Sequence, residues 1–219
     1  MVVGSSPPRK TFTPTLIAAL VGLLALAIAT VIVVIVKSGG DSSDSTASSS
    51  SATSGEETTS TEETSAAEDG SLTSSDGAFT YQMPSGYEDA TGKVTASGSV
   101  AQVYKPDSDA SFPITIIVTT EPAKGTALST AVSNARAATE KSLSTTTELM
   151  TLSFKTIDGE EAQGFATKEY QKDGQKIQSA IAMTIHNDVL YAFIVNVKSE
   201  MTKDGGNGLA DLIETVTWT

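Results

Sequence analysis

The sequence predicts an α+β domain, an antiparallel β-sheet flanked by helices, preceded by one transmembrane helix and a disordered linker. Three features of the chain lead there. Residues 16–36 form an unbroken apolar run, and residues 37–77 are dominated by Ser, Thr and acids. Beyond residue 78, short segments with β patterning are interrupted once, and closed once, by helical periodicity.

The apolar run is 21 residues of Leu, Ile, Val and Ala with a single Gly and a single Thr. As a helix it measures about 32 Å, which matches the ~30 Å hydrocarbon layer of a bilayer. Arg9 and Lys10 precede it, Lys37 follows, and the next base is Lys93. The positive-inside bias therefore predicts a cytoplasmic tail at residues 1–15 and an extracellular C-terminal part, with the lipid bilayer as partner of residues 16–36. The alternative is a signal peptide cleaved after Ala29, since Ala27-Ile28-Ala29 has the small-x-small form. That cut leaves six β-branched residues, 31–36, near the new N-terminus, so an uncleaved signal anchor is the preferred reading. There is no cysteine to acylate, which excludes a lipoprotein and leaves the fold without disulfides.

The net charge of −12 is unevenly spread: +3 over residues 1–37, −9 over 38–77 and −6 over 78–219. Nucleic-acid binding normally shows a basic patch, so it is not expected. More than half of residues 38–77 are Ser or Thr, and Leu72 is the only large apolar residue there, which predicts a solvated tether. Its coil dimension is roughly 35 Å, and its full reach is about 130 Å. An O-glycosylated stalk and a cation-attracting acidic tail are the alternatives for this segment.

The extracytoplasmic domain is predicted to span 78–219. Residues 79–83 alternate with period 2 and run into the turn Pro84-Ser85-Gly86, and 93–96, 100–104 and 114–120 read as further strands of a meander. Leu128, Ala131, Val132, Ala135, Ala138 and Leu143 then follow helical spacing, giving an amphipathic helix over 127–144 with Thr126 as N-cap. Strands return at 149–155, 162–171, 176–186 and 190–198, punctuated by Asp158-Gly159, Asp173-Gly174 and Asn187-Asp188 as hairpin turns. Along the last strand Tyr191, Phe193, Val195 and Val197 oppose Leu190, Ala192 and Ile194, so it is expected to lie centrally with both faces covered. Gly205-Gly206-Asn207-Gly208 reads as a loop entering a short helix that presents Leu209, Leu212, Ile213 and Val216.

No catalytic constellation emerges. His186 is the only histidine, and its place on the more polar strand face predicts an ordinary surface or edge residue. One His and no Cys fall short of a zinc set. Glu160-Glu161 and Asp107-x-Asp109 are read as solvated acids beside turns rather than calcium ligands, since neither fits the EF-hand loop. Backbone N–H groups over 206–209 are an anion-site candidate at a helix start, without the Lys-Ser/Thr of a P-loop. No cofactor, metal or catalytic residue is expected. Most of the aromatics Phe79, Tyr81, Tyr87, Tyr104, Phe112 and Phe165 are expected in the core, since a domain with few aromatics needs them there; the default location for any ligand is an apolar cleft between sheet and helix lined by Tyr81, Tyr87, Tyr104, Phe112 and Phe165.

The opening Phe79-x-Tyr81-x-Met83-Pro84-Ser85-Gly86-Tyr87 resembles the strand-Pro-x-Gly-aromatic start of the Mog1/PsbP-like superfamily. The later Asp158-Gly159, the long hairpin and the closing helix with its aromatic are also similar, over about residues 78–219. By architecture the chain is similar to actinobacterial LpqN/LpqT-type cell-envelope proteins. The resemblance implies an α/β/α sandwich and a non-enzymatic role, because members assist or bind partners, as in photosystem assembly, Ran binding, effector chaperoning and envelope-glycolipid transport. Two departures stand out: those envelope proteins are typically lipidated on a cysteine, absent here, and Tyr87 stands where many members carry Trp. The expected function is thus a membrane-anchored binding or scaffold module for an envelope protein or an apolar ligand such as a glycolipid. A carboxylate-dependent hydrolase and a purely structural envelope component are the alternatives.

Overall fold

The structure, a computed structural model, describes residues 71–91, 98–106, 108–109, 112–143 and 148–219. The apolar run 16–36, the tether through residue 70 and the predicted strand 93–96 lie outside the described residues. Among the described residues no helix is long and apolar enough to cross a membrane.

Among the described residues, twelve strands and two α-helices follow in order: β1 (Leu72–Thr73), β2 (Phe79–Tyr81), β3 (Glu88–Asp89), β4 (Ser99–Lys105), β5 (Ile114–Pro122), α1 (Leu128–Ser142), β6 (Leu149–Leu152), β7 (Thr156–Ile157), β8 (Glu160–Thr167), β9 (Tyr170–Lys172), β10 (Gln175–His186), β11 (Val189–Lys198), α2 (Thr202–Glu214) and β12 (Thr217–Trp218). The main sheet runs β3-β4-β5-β11-β10-β8-β6, with β7 paired to β8 and β9 to β10. A second sheet has the order β1-β2-β12. Every pairing is antiparallel, so the predicted α+β class holds.

Strand β11 sits between β5 and β10, as its two apolar faces predict. Tyr191, Phe193, Val195 and Val197 join one core with α2 and the small sheet. Leu190, Ala192 and Ile194 join the other, with Leu128, Ala131, Val132 and Ala135 of α1. Side-chain alternation along one strand thus seeds both cores. The three predicted hairpin turns are in place, with positive φ at Asp158 and Gly159, Asp173 and Gly174, and Asn187 and Asp188. Two-residue loops of this backbone type match the twist of the strands they join.

Three expectations need correction. Residues 71–77 belong to the domain, not to the tether. Ser74 Oγ accepts from Phe79 N at 3.1 Å and donates to Asp76 Oδ1 at 2.6 Å, Ser75 N donates to Val100 O at 2.8 Å, and Leu72 packs on the core. Short polar side chains here close a turn on the backbone, a role that composition reads as disorder. Second, the strand at Phe79 leaves the meander and pairs with β1 and β12 instead.

The third correction concerns the glycine run, which is helix rather than loop. α2 begins at Thr202, and Gly205 and Gly208 are buried within it. A Cβ on Gly205 would stand 2.2 Å from Val197 Cγ1, and one on Gly208 2.2 Å from the Tyr87 hydroxyl oxygen. These glycines let the helix lie close against β11 and Tyr87, and that packing outweighs their poor helix propensity of about 1 kcal/mol each. The N–H groups of 206–209 therefore lie inside the helix and not at its start, where the anion-site candidate needs them.

Candidate functional site

The five aromatics assigned to a cleft do not meet. Tyr81 and Tyr87 are buried in the core beneath α2. Phe165 is fully buried in the opposite core, under the Arg136 guanidinium at 5.5 Å. Tyr104 is partly exposed and donates to Glu88 Oε2 at 2.8 Å, and Phe112 N donates to Asp109 Oδ1 at 3.0 Å. The main sheet stands between Tyr81 and Tyr87 on one side and Phe165 on the other. Burial pushes the Tyr81 hydroxyl up to about 12, with Asp89 adding to it, and burial followed by Asp204 and Asp211 does the same for Tyr87. Both stay protonated and serve packing.

His186 is not an ordinary surface residue. Its ring stacks on Trp218 with centroids 4.4 Å apart and planes 6° from parallel. Asn187 Nδ2 approaches Nε2 at 2.8 Å and Glu160 Oε1 lies 3.1 Å from Nδ1, an arrangement that places the ring proton on Nδ1. The stack forms because β12 carries Trp218 onto the end of β10, a contact 32 residues distant in sequence that no local pattern announces. Of the other acids singled out, Glu161 accepts from Gln163 Nε2 at 2.9 Å and Asp109 pairs with Lys198 Nζ at 2.5 Å, whereas Asp107 lies outside the described residues.

On the α1 side, half-buried Glu121 borders a narrow cavity of about 20 Å³ beside Thr119, Ala135, Met183 and Leu190, room for about one water. Burial raises its carboxyl from 4.5 to about 7. The folded state thus holds a proton that the unfolded chain has released, so stability falls as pH rises from about 4.5 through about 7. Glu121→Gln is expected to flatten that slope and to stabilise the protein at pH 8 by about 1 kcal/mol, after allowance for solvent screening. Denaturation midpoints at pH 5 and pH 8 check this, and parallel pH profiles for both proteins would contradict it.

A larger depression lies at the far end of the sheet, where the β9–β10 turn meets the end of β11. It measures about 460 Å³ and is lined by Glu169, Gln175, Lys176, Lys198, Ser199 and Glu200, with Gly174 of the turn. Lys176 Nζ bonds Glu169 Oε1 at 2.8 Å. That hydrogen bond holds the Glu169 carboxyl below its ordinary range and raises the Lys176 ammonium, so both remain charged. Gln175 Oε1 is shut from solvent with no donor among the described residues. On the strands that reach the groove, β9, β10 and β11, Tyr170 and Ser179 share a hydrogen bond at 2.9 Å, and Ser179 Oγ donates to Asn196 Oδ1 at 2.6 Å.

None of these groove residues was singled out from the sequence. One signal was present: the Asn187-Asp188 turn fixes the register that sets Ile177 opposite Lys198, and hence Lys176 and Lys198 at one sheet end. Glu169 and Ser199 arrive through β9 and the turn after β11, which no register rule supplies.

No family model matches this chain, and no curated protein matches it. Among solved structures it is similar to LpqN. That protein is described as LpqN involved in cell envelope biogenesis of Mycobacterium tuberculosis, is 14% identical, and aligns over 64% of this chain and 83% of its own with a TM-score of 0.48. A protein of Bacteroides thetaiotaomicron is also 14% identical, over 68% of this chain and 48% of its own, with a TM-score of 0.42. Likenesses of this size do not place the chain in a family.

Proposed function

We propose that this chain is a membrane-anchored extracytoplasmic binding or scaffold module, built on a domain of Mog1/PsbP-like type. The observation that carries the reading is the succession of three unlike segments: a 21-residue apolar run, a base-free acidic tether and a folded domain that starts at β1. The strand-Pro-x-Gly-aromatic opening at residues 79–87 and the antiparallel sheet covered on both faces support the fold type. The anchor holds the domain within tether reach of the outer membrane surface, where its partner is an envelope component. That partner is not an apolar ligand held among the five aromatics, since two opposite cores absorb three of them.

A membrane-impermeant crosslinker applied to intact cells, followed by mass spectrometry, is expected to join the domain to a reproducible envelope partner. Crosslinks formed only after the cells are broken would reverse the orientation. A domain labelled in intact cells without any recurring partner would leave it a purely structural component.

A further inference from the structure

The geometry points to the groove between the β9–β10 turn and the end of β11 as a binding site for an uncharged, hydroxyl-rich ligand, a neutral oligosaccharide segment. The inference rests on the binding-module reading above and names its ligand class. The groove's volume of about 460 Å³ falls within the ~300–1,000 Å³ of small-molecule sites.

Its lining selects by charge and polarity. Lys176 and Lys198 each already hold a carboxylate, Glu169 for the first and Asp109 for the second, and Glu200 adds a third. An anionic ligand finds no unpaired ammonium there, and the third carboxylate serves a neutral ligand as an acceptor of hydroxyl protons. No apolar side chain lines the groove, so neither an acyl chain nor the side chains of a peptide find a pocket. What the walls do offer is a close mixture of donors and acceptors: ammonium protons and carboxylate lone pairs beyond those used in the pairs, and the Gln175 amide. Vicinal hydroxyls both donate and accept, and match such a mixture. The aliphatic stems of the two lysines add the modest apolar surface that the C–H face of a sugar ring covers.

Gln175 provides the most specific contact. Its Oε1 lacks a donor among the described residues, and an unmet buried acceptor is unfavourable. A turn of the amide about its broad terminal torsion presents this oxygen to a ligand hydroxyl. The Tyr170–Ser179–Asn196 chain on the same three strands is hydrogen-bonded and buried.

The test uses the full chain in a detergent without a sugar headgroup. Cellotetraose, maltotetraose and mannotetraose are titrated by calorimetry against a sulfated heparin tetrasaccharide and triglycine. One neutral tetrasaccharide is expected to bind with a Kd of about 0.1–1 mM. Gln175→Ala and Glu200→Gln are each expected to weaken it at least about tenfold, with unchanged thermal midpoints, and Glu214→Gln to leave it unaltered. Absence of saturable binding by all three neutral sugars overturns the inference, as does tighter binding of the sulfated sugar or triglycine, or equal binding by the groove variants. An envelope protein crosslinked in cells together with no sugar bound in vitro removes this inference and leaves the module reading in place.

Discussion

Gly205→Val is expected to destabilise the domain by about 3 kcal/mol, at the upper end of overpacking costs, whereas Gly206→Ala one residue later is expected to stabilise it by about 0.5–1 kcal/mol. The two glycines share a helix and differ in what surrounds them. A Cβ at 205 would stand 2.2 Å from Val197 Cγ1, while one at 206 has nothing within 4 Å. Val197 is β-branched, held by few rotamers, and belongs to the core beneath α2. The helix must therefore lift from β11 or the strand must bend. Urea denaturation of both variants reads the contrast directly. Equal and small effects at the two positions would mean that the helix does not lie against the sheet as described.

Phe193→Ala is expected to cost about 3–5 kcal/mol, the range for large aromatics removed from a core. Phe193 is fully buried on the central strand, and its ring centroid lies 6.0 Å from that of Phe79. Truncation leaves a void between the main sheet and the small one, where β2 is held at both edges by strands of only two residues, too short to follow a collapsing core independently. Ile194→Val on the same strand removes one methyl group from the other core and is expected to cost about 0.5–1.5 kcal/mol. Denaturation midpoints rank the pair. A Phe193→Ala variant no less stable than Ile194→Val would show that the two sheets do not share this core.

How much the sequence reveals depends on how far the deciding contact lies along the chain. The two-faced pattern of β11, the α1 stripe and the three positive-φ turns are local, with periods of two or 3.6 residues or adjacent Asp, Asn and Gly positions, and each is legible. Gly205 and Gly208 mislead because their helical state is decided by Val197 and by Tyr87, the latter more than a hundred residues away. Propensity alone reads such a run as a break. The five aromatics are legible only in part, for a related reason. Residue type says that they will be buried, but only strand register says on which side of the sheet, and β2 left the sheet to which it was assigned. Of the candidate groove, the β10–β11 register was legible and its other walls were not.

The β1-β2-β12 sheet has a mechanical consequence. Tension applied at Ser71 is first resisted by the pairs Leu72↔Tyr81 and Thr73↔Thr80. The next pairs along that load path, Thr217↔Thr80 and Trp218↔Phe79, tie in the chain's last residues. The long β10–β11 ladder lies outside this path. Under a pull at Ser71, the two-residue pairings of the small sheet are expected to give way before the ten-residue β10–β11 ladder beside the groove.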